Sequence, residues 1–166
     1  MKFRCEHRFP GITLAQYEKM YFDEAFNTEL CKVLGLTRSV VSYDLTDTKV
    51  KRVVKVAPNR EIPAPAAKIL GSAKIEYTET IEYVFGSGRA DWFTVSSVMT
   101  DKVDSRGTVR FAERDGAVVR SVDGDVTVKI TLLGGTVEKF IVSDVERSYE
   151  KAAEFTRDWL AKHPPV

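Results

Sequence analysis

VTVKITLLGGTVEKFIVSDVERSYEKAAEFTRDWL, residues 126–160, is the stretch on which the fold turns. In its first part Val126, Val128, Ile130 and Leu132 alternate with Thr127, Lys129 and Thr131, the two-residue period of a half-buried strand. Beyond Gly134-Gly135 the period changes. Val137, Ile141, Val145, Ser148, Ala152, Phe155 and Trp159 are spaced four or three apart and line one face of a helix. The two glycines lack a Cβ, which predicts a sharp turn that lays the helix back over the sheet. A helix of about seven turns cannot bury such a stripe by itself. The rest of the chain must supply the surface that receives it.

Reading outward, the 166 residues are expected to form one domain with a core large enough to be stable alone. The formal charge is +1, with acids and bases interspersed, so no basic footprint points to nucleic acid as a partner. No apolar run reaches the length of a membrane span, and the charged start, Lys2 to Arg8, does not fit a signal peptide. A cytoplasmic protein is expected. Cys5 and Cys31 are too few for a disulfide framework or a cysteine zinc site, and two histidines exclude a histidine-rich metal site.

The amino-terminal segment alternates from Lys2 to Phe9, with Phe3, Cys5, His7 and Phe9 on one face. Pro10-Gly11 ends that strand. Thr13 and Gln16 then form a capping-box pattern for a short helix, and Asp23 and Gly35 bracket a second with Phe26, Leu30 and Val33 inward. From Thr37 to Ile130 the pattern is strands and turns. Arg38–Leu45 and Lys49–Val56 make a hairpin across Asp47-Thr48, Lys74–Phe85 alternates at length, Trp92–Met99 and Gly107–Glu113 follow, and Asp115-Gly116 leads into Ala117–Ile130. Gly124 inside the last run predicts a bulge. Ala57–Ser72, with Pro58, Pro63 and Pro65, predicts a long loop carrying one helical turn.

Strand, two short helices, six antiparallel strands and one long helix specify an α+β fold: a curved seven-stranded sheet with the last helix across its concave face. This order resembles the START-like, or helix-grip, superfamily of lipid-transfer proteins, pollen-allergen relatives and polyketide cyclases. Val128 to Lys139 resembles the strand-to-helix joint of a small uncharacterised bacterial branch, and Phe9 to Phe26 is similar to the opening of eukaryotic sterol-transfer domains. The resemblance implies a cavity between sheet and helix that holds a hydrophobic or amphipathic small molecule, lipid-like or polyketide-like. The small Ser148 and Ala152 at the middle of the helix leave room for it; alternatively Tyr77, Tyr83 and Trp92 cross the gap and fill it.

The chemical anomaly is Glu79. It shares a face with Ile75, Tyr77, Ile81, Tyr83 and Phe85 and is the only charge there. A carboxylate turned toward apolar surroundings must be paired, hydrogen-bonded, protonated or wet. Arg52, among Val50, Val54 and Val56, and His7 are the candidate partners. As a binding site, Glu79 or His7 meets a ligand hydroxyl and Arg52 a carboxylate or phosphate, with Tyr77, Ile81, Tyr83, Trp92, Ser148 and Ala152 as lining. As structure, Arg52 and Glu79 form an internal pair and His7 is a core residue. Ile62, Ile69 and Leu70 form either a mobile gate, capable of weak membrane contact beside Arg60 and Lys68, or a seal over the barrel end.

Catalytic and cofactor motifs are lacking: Gly86-Ser87-Gly88 is a turn without the strand-to-helix context of a nucleophile elbow or phosphate loop. A noncatalytic carrier with no cofactor and no metal is the leading expectation. A cyclase or dehydratase using Glu79 or His7 as acid or base is the alternative, and a filled-core protein-interaction domain is the third. The sequence carries no signal of oligomeric state.

Overall fold

β1 (Lys2–Pro10) alternates without a fault, burying Phe3, Cys5, His7 and Phe9 and exposing the residues between them. The computed structural model describes residues 1–166. Thr13 caps α1 (Leu14–Tyr21) with the full capping box: its side chain accepts from Gln16 N, and Gln16 returns the bond to Thr13 N. Asp23 accepts from Phe26 N to open α2 (Glu24–Leu34), which Gly35 closes in the left-handed conformation at φ 64°. α2 buries Phe26 and Asn27, whereas Val33 is exposed rather than inward.

The strands that follow are β2 (Leu36–Leu45), β3 (Lys49–Pro58), β4 (Tyr77–Val84), β5 (Arg89–Ser96), β6 (Val103–Arg114) and β7 (Ala117–Val128). They form one seven-stranded antiparallel sheet in the order β1-β7-β6-β5-β4-β3-β2. Asp115 and Gly116 both take positive φ, 50° and 71°, as a tight hairpin turn between β6 and β7 requires. Between β3 and β4, α3 (Ala64–Leu70) is longer than the single turn expected, with Pro65 tolerated at its start. α4 (Gly134–Lys162) runs across the concave face, against β1 and β7 on one side and α2 and α3 on the other.

Two glycines do different work from that expected. Gly124 sits in an uninterrupted register, paired with Phe3 and Gly107, and carries no bulge; the irregularity in the sheet lies in β2 between Val40 and Ser42. A Cβ on Gly124 would stand 2.3 Å from the Phe3 ring. Glycine is there so that rings can lie flat on the sheet. At the strand-to-helix joint the left-handed residue is Leu132, at φ 65°, and the strand has already ended at Val128. A Cβ on Gly134 would meet the Val128 carbonyl oxygen at 2.1 Å, so this glycine permits close approach of the helix start to the strand end. Glu138 ties the same joint by accepting from Val128 N at 2.8 Å.

The inward stripe of α4 is rotated slightly from the expected one. Val142, Ala152, Ala153 and Thr156 are buried, and Val145 and Tyr149 pack beside them. Phe155 and Trp159 turn to α2, meeting the Phe26 ring at 5.6 and 5.5 Å. One long helix thus serves two neighbours, and its single apolar stripe is two adjoining ones.

Candidate functional site

Strand register places the polar residues of the concave face. Arg52 on β3 is opposite Ile81 on β4, and Glu79 on β4 is opposite Val54, so the two are diagonal neighbours. Their side chains meet, Arg52 Nη2 to Glu79 Oε1, at 3.6 Å. Arg52 is buried at 5% exposure and its guanidinium lies 5.4 Å from the Phe22 ring centre and 6.0 Å from that of Tyr21. Its Nε and Nη1 have no partner. An arginine presents five N–H donors in a planar fork, and leaving such donors dry and unpaired is costly.

A second buried arginine lies on β7. Arg120 is 3% exposed and faces His7 across the β1–β7 ladder. Its Nη2 is 3.3 Å from His7 Nδ1, and His7 Nε2 is 2.9 Å from Glu150 Oε1 on α4. Guanidinium nitrogens only donate, so Nδ1 accepts and Nε2 carries the proton that goes to Glu150. Phe9 and Tyr149 flank the Arg120 guanidinium at 5.2 and 5.3 Å. Arg120 Nε is buried without a partner, and the Tyr17 hydroxyl lies close enough to interact with the guanidinium but makes no well-aligned hydrogen bond. Burial pushes the Tyr17 phenol up to about 12 and raises Tyr149, Tyr21 and Tyr77 as well. Burial, with Glu146 second, pushes the Cys5 thiol up to about 11.

The other expected lining residues divide into two groups. Tyr77, Ile81 and Trp92 lie on the concave face of β4 and β5, with Trp92 opposite Ile81 and its Nε1 buried without a partner. Trp92 leans on Phe3 at 6.3 Å between rings, over Gly107 and Gly124. Ala152 is buried and Ser148 half-buried on α4, but the space between them and the sheet receives Tyr149. Tyr83 belongs to the core: it is fully buried against Phe22, Phe85 and Phe111 and donates its hydroxyl hydrogen to Glu18. Leu70 is buried in the same core, and Ile62 and Ile69 pack against it. The 57–72 segment is also clasped from outside, by Arg60 Nη2 on both carboxylate oxygens of Asp144 at 2.5 and 2.6 Å.

Sequence reasoning missed Arg120, Glu18 and Tyr149. The signal for Arg120 was the one that singled out Glu79: Val118, Arg120, Val122, Gly124, Val126 and Val128 form one face with a single charge. Glu18, four residues from Leu14 and three from Tyr21, likewise sits on an apolar helix face. It latches α1 to the β4–β5 turn by accepting from Gly86 N at 2.8 Å and from the Tyr83 hydroxyl. No group of three His, Cys, Asp or Glu residues is placed to hold a metal ion, and no helix is long and apolar enough to cross a membrane. Two surface hollows, of about 370 and 250 Å³, lie at the carboxy-terminal end of α4 and are lined by neither Arg52, Glu79 nor Arg120.

Comparison with known proteins agrees with this architecture. The family model described as protein of unknown function (DUF2505) matches residues 4–160. No curated protein matches the chain. Among solved structures, TTHA0849 from Thermus thermophilus is similar with a TM-score of 0.67 at 16% identity, covering 93% of this chain and 96% of that one. The Zhui aromatase/cyclase from Streptomyces sp. R1128 is similar over 100% of both chains, with a TM-score of 0.66 at 9% identity. Ara h 8.0201 is similar over 93% of this chain and 97% of its own, with a TM-score of 0.59 at 10% identity. At these identities the shared property is the START-like helix-grip fold.

Proposed function

We propose that this chain, which belongs to the DUF2505 family of proteins of unknown function, binds a hydrophobic or amphipathic small molecule between its sheet and α4. The observation that carries the reading is the pair of buried, partnerless donors on Arg52, Nε and Nη1, on a guanidinium whose third nitrogen, Nη2, stands 3.6 Å from the Glu79 carboxylate. A filled structural core satisfies its polar atoms. A site awaiting a polar ligand end leaves donors open, with apolar residues around them to supply affinity. Val50, Val54 and Ile81 supply that surround here. Arg52 and Glu79 orient the polar end, Tyr77 and Trp92 line the approach, and the clasped segment carrying Ile62, Ile69 and Leu70 seals it or admits the ligand.

Binding without catalysis is favoured by His7. Both of its ring nitrogens are engaged, one by Arg120 and one by Glu150, which leaves it no free lone pair for a general base. Native mass spectrometry of the purified chain, with solvent extraction and identification of anything bound, tests the reading. An amphipathic compound recurring at one per chain, unchanged on release, is the expected result. The bare chain mass, together with no binding across a lipid panel, would overturn it in favour of a protein-interaction domain.

A further inference from the structure

The buried arginines of this protein are not equivalent. Arg38, whose side chain is 9% exposed, forms a two-pronged pair with Glu24 at 2.7 and 3.0 Å, and Arg52 has Glu79. Arg120 has no carboxylate within 4.0 Å, although it is the most deeply buried of the three. Glu150 reaches it only through the His7 ring, from a side chain that is 71% exposed. Phe9 and Tyr149 cover its faces, and besides His7 the polar groups that act on it, Tyr17, Tyr21 and Tyr149, are phenols. A buried ion without a counter-ion is strongly unfavourable. The centre of the fold therefore holds two guanidiniums against one carboxylate, Glu79, and lacks one negative charge.

The open donors describe what completes it. Arg120 offers Nε, and the Tyr17 hydroxyl beside it, whose oxygen can only accept from the guanidinium, keeps its O–H free to donate. Two donors and one missing charge match the two oxygens and single charge of a carboxylate. A phosphate monoester brings more charge and more acceptor oxygens than these two donors can meet. Resting on the proposed binding of an amphipathic molecule, we infer that the ligand is a carboxylic acid in its anionic form, its carboxylate seated on Arg120 Nε and the Tyr17 hydroxyl. Its apolar body then extends between sheet and α4 along Val50, Val54 and Ile81, and a second polar group, where the ligand carries one, meets Arg52 and Glu79. Arg120 and Tyr17 are specificity residues in this arrangement: they select acid over alcohol or amine on the same body.

Calorimetric titration of the full chain with matched probes tests this. One set is dodecanoate, dodecanol, dodecylamine and dodecyl phosphate, and a second is naphthoate with naphthylmethanol. The acid is expected to bind about tenfold or more tightly than the alcohol of the same body, as one charge-assisted contact implies. Arg120→Met should bring acid and alcohol level, Arg120→Lys should restore part of the difference, and Tyr17→Phe should reduce it about threefold. Equal binding of acid and alcohol to the unaltered protein overturns the inference while leaving the apolar site standing. Tighter binding of the phosphate than the carboxylate also overturns it. Failure of every probe to bind removes the small-molecule reading itself. If Arg120→Met does not fold, the acid–alcohol comparison on the unaltered protein still decides.

Discussion

The α1 end of the interior and its centre bury charge in opposite ways. Glu18, 3% exposed, accepts from the Tyr83 hydroxyl and from Gly86 N, and Gly88 N in turn donates to the Tyr83 oxygen at 3.1 Å. Each of these partners is a donor fixed by the β4–β5 turn, and rings of Phe22, Phe85 and Phe111 exclude water around them. In the centre, Arg52 and Arg120 are as deeply buried, yet between them three N–H-bearing nitrogens have no partner. A buried charge that serves as a latch is wrapped in complementary groups. A buried charge whose donors stay open has the chemistry of a receptor. The same depth means stability at one end and, on the binding proposed above, recognition at the other.

The largest effect should come from breaking the latch. Glu18→Ala leaves the Tyr83 hydroxyl and Gly86 N buried without an acceptor, a loss of about 3 kcal/mol from two charge-assisted bonds. At the roughly 2–4 °C per kcal/mol of a chain this size, the melting temperature should fall by about 6–12 °C. Glu18→Gln, which keeps a carbonyl oxygen in place, should lose much less. Equal, small losses for both variants in thermal unfolding would mean that α1 is held by its aromatic contacts alone.

Alkaline pH probes the dryness of the centre. The Tyr17 phenol is raised to about 12 from an ordinary 10.0, chiefly by burial, so the unfolded chain releases this proton first. Its contribution to stability is complete below pH 10 and is lost as pH rises toward 12. Between pH 9 and pH 11 the loss from this one group is about 1.4 kcal/mol. Urea unfolding at those two values should therefore show a smaller pH-dependent loss for Tyr17→Phe than for the unaltered protein. Identical losses would place Tyr17 in contact with water.

Removing the open cation should act in the opposite direction to removing the latch. Arg120→Met deletes an unpaired buried charge but leaves His7 Nδ1 without its donor. The two effects partly offset, and the ligand-free protein should gain about 1 kcal/mol. Arg52→Met gives no such gain, because it strands Glu79, whose side chain is 30% exposed and can hydrate. A marked destabilisation by Arg120→Met in the ligand-free protein would make Arg120 a structural latch like Glu18.

The fold was legible because its signals are local: the alternation of β1, the capping box of α1, the left-handed Gly35 and the change of period before α4. Glu79 and Arg52 were legible by the same rule, as single charges on apolar faces. Their approach to 3.6 Å depends on the β3–β4 register, which the strand pattern alone leaves free. What lay beyond local pattern was the rotation of α4. Tyr149 rather than Ser148 faces Arg120 because Phe155 and Trp159 are drawn sideways to Phe26 on α2, a contact between distant parts of the chain. The role of Gly124 was hidden for a related reason: a glycine placed for a bulge and one placed under Phe3 are identical in sequence.

The smallest effect on stability concerns the clasp between the 57–72 segment and α4. Arg60 holds Asp144 of α4 at 2.5 and 2.6 Å, but its side chain is 42% exposed, so the pair is weakened by water and salt. Arg60→Ala should change unfolding free energy by less than about 0.5 kcal/mol. Its consequence should be kinetic and local. The segment before α3 contributes a backbone bond from Ile62 N to Ala73 O, and Leu70 anchors it in the core, so opening without the clasp still has to extract Ile62 and Ile69. Amide exchange should therefore quicken in residues 59–73 of Arg60→Ala while Gly86 and its neighbours at the latched end keep their protection. Faster ligand uptake by the same variant, with unchanged affinity, makes this segment the entrance. Faster exchange with unchanged uptake makes it a seal.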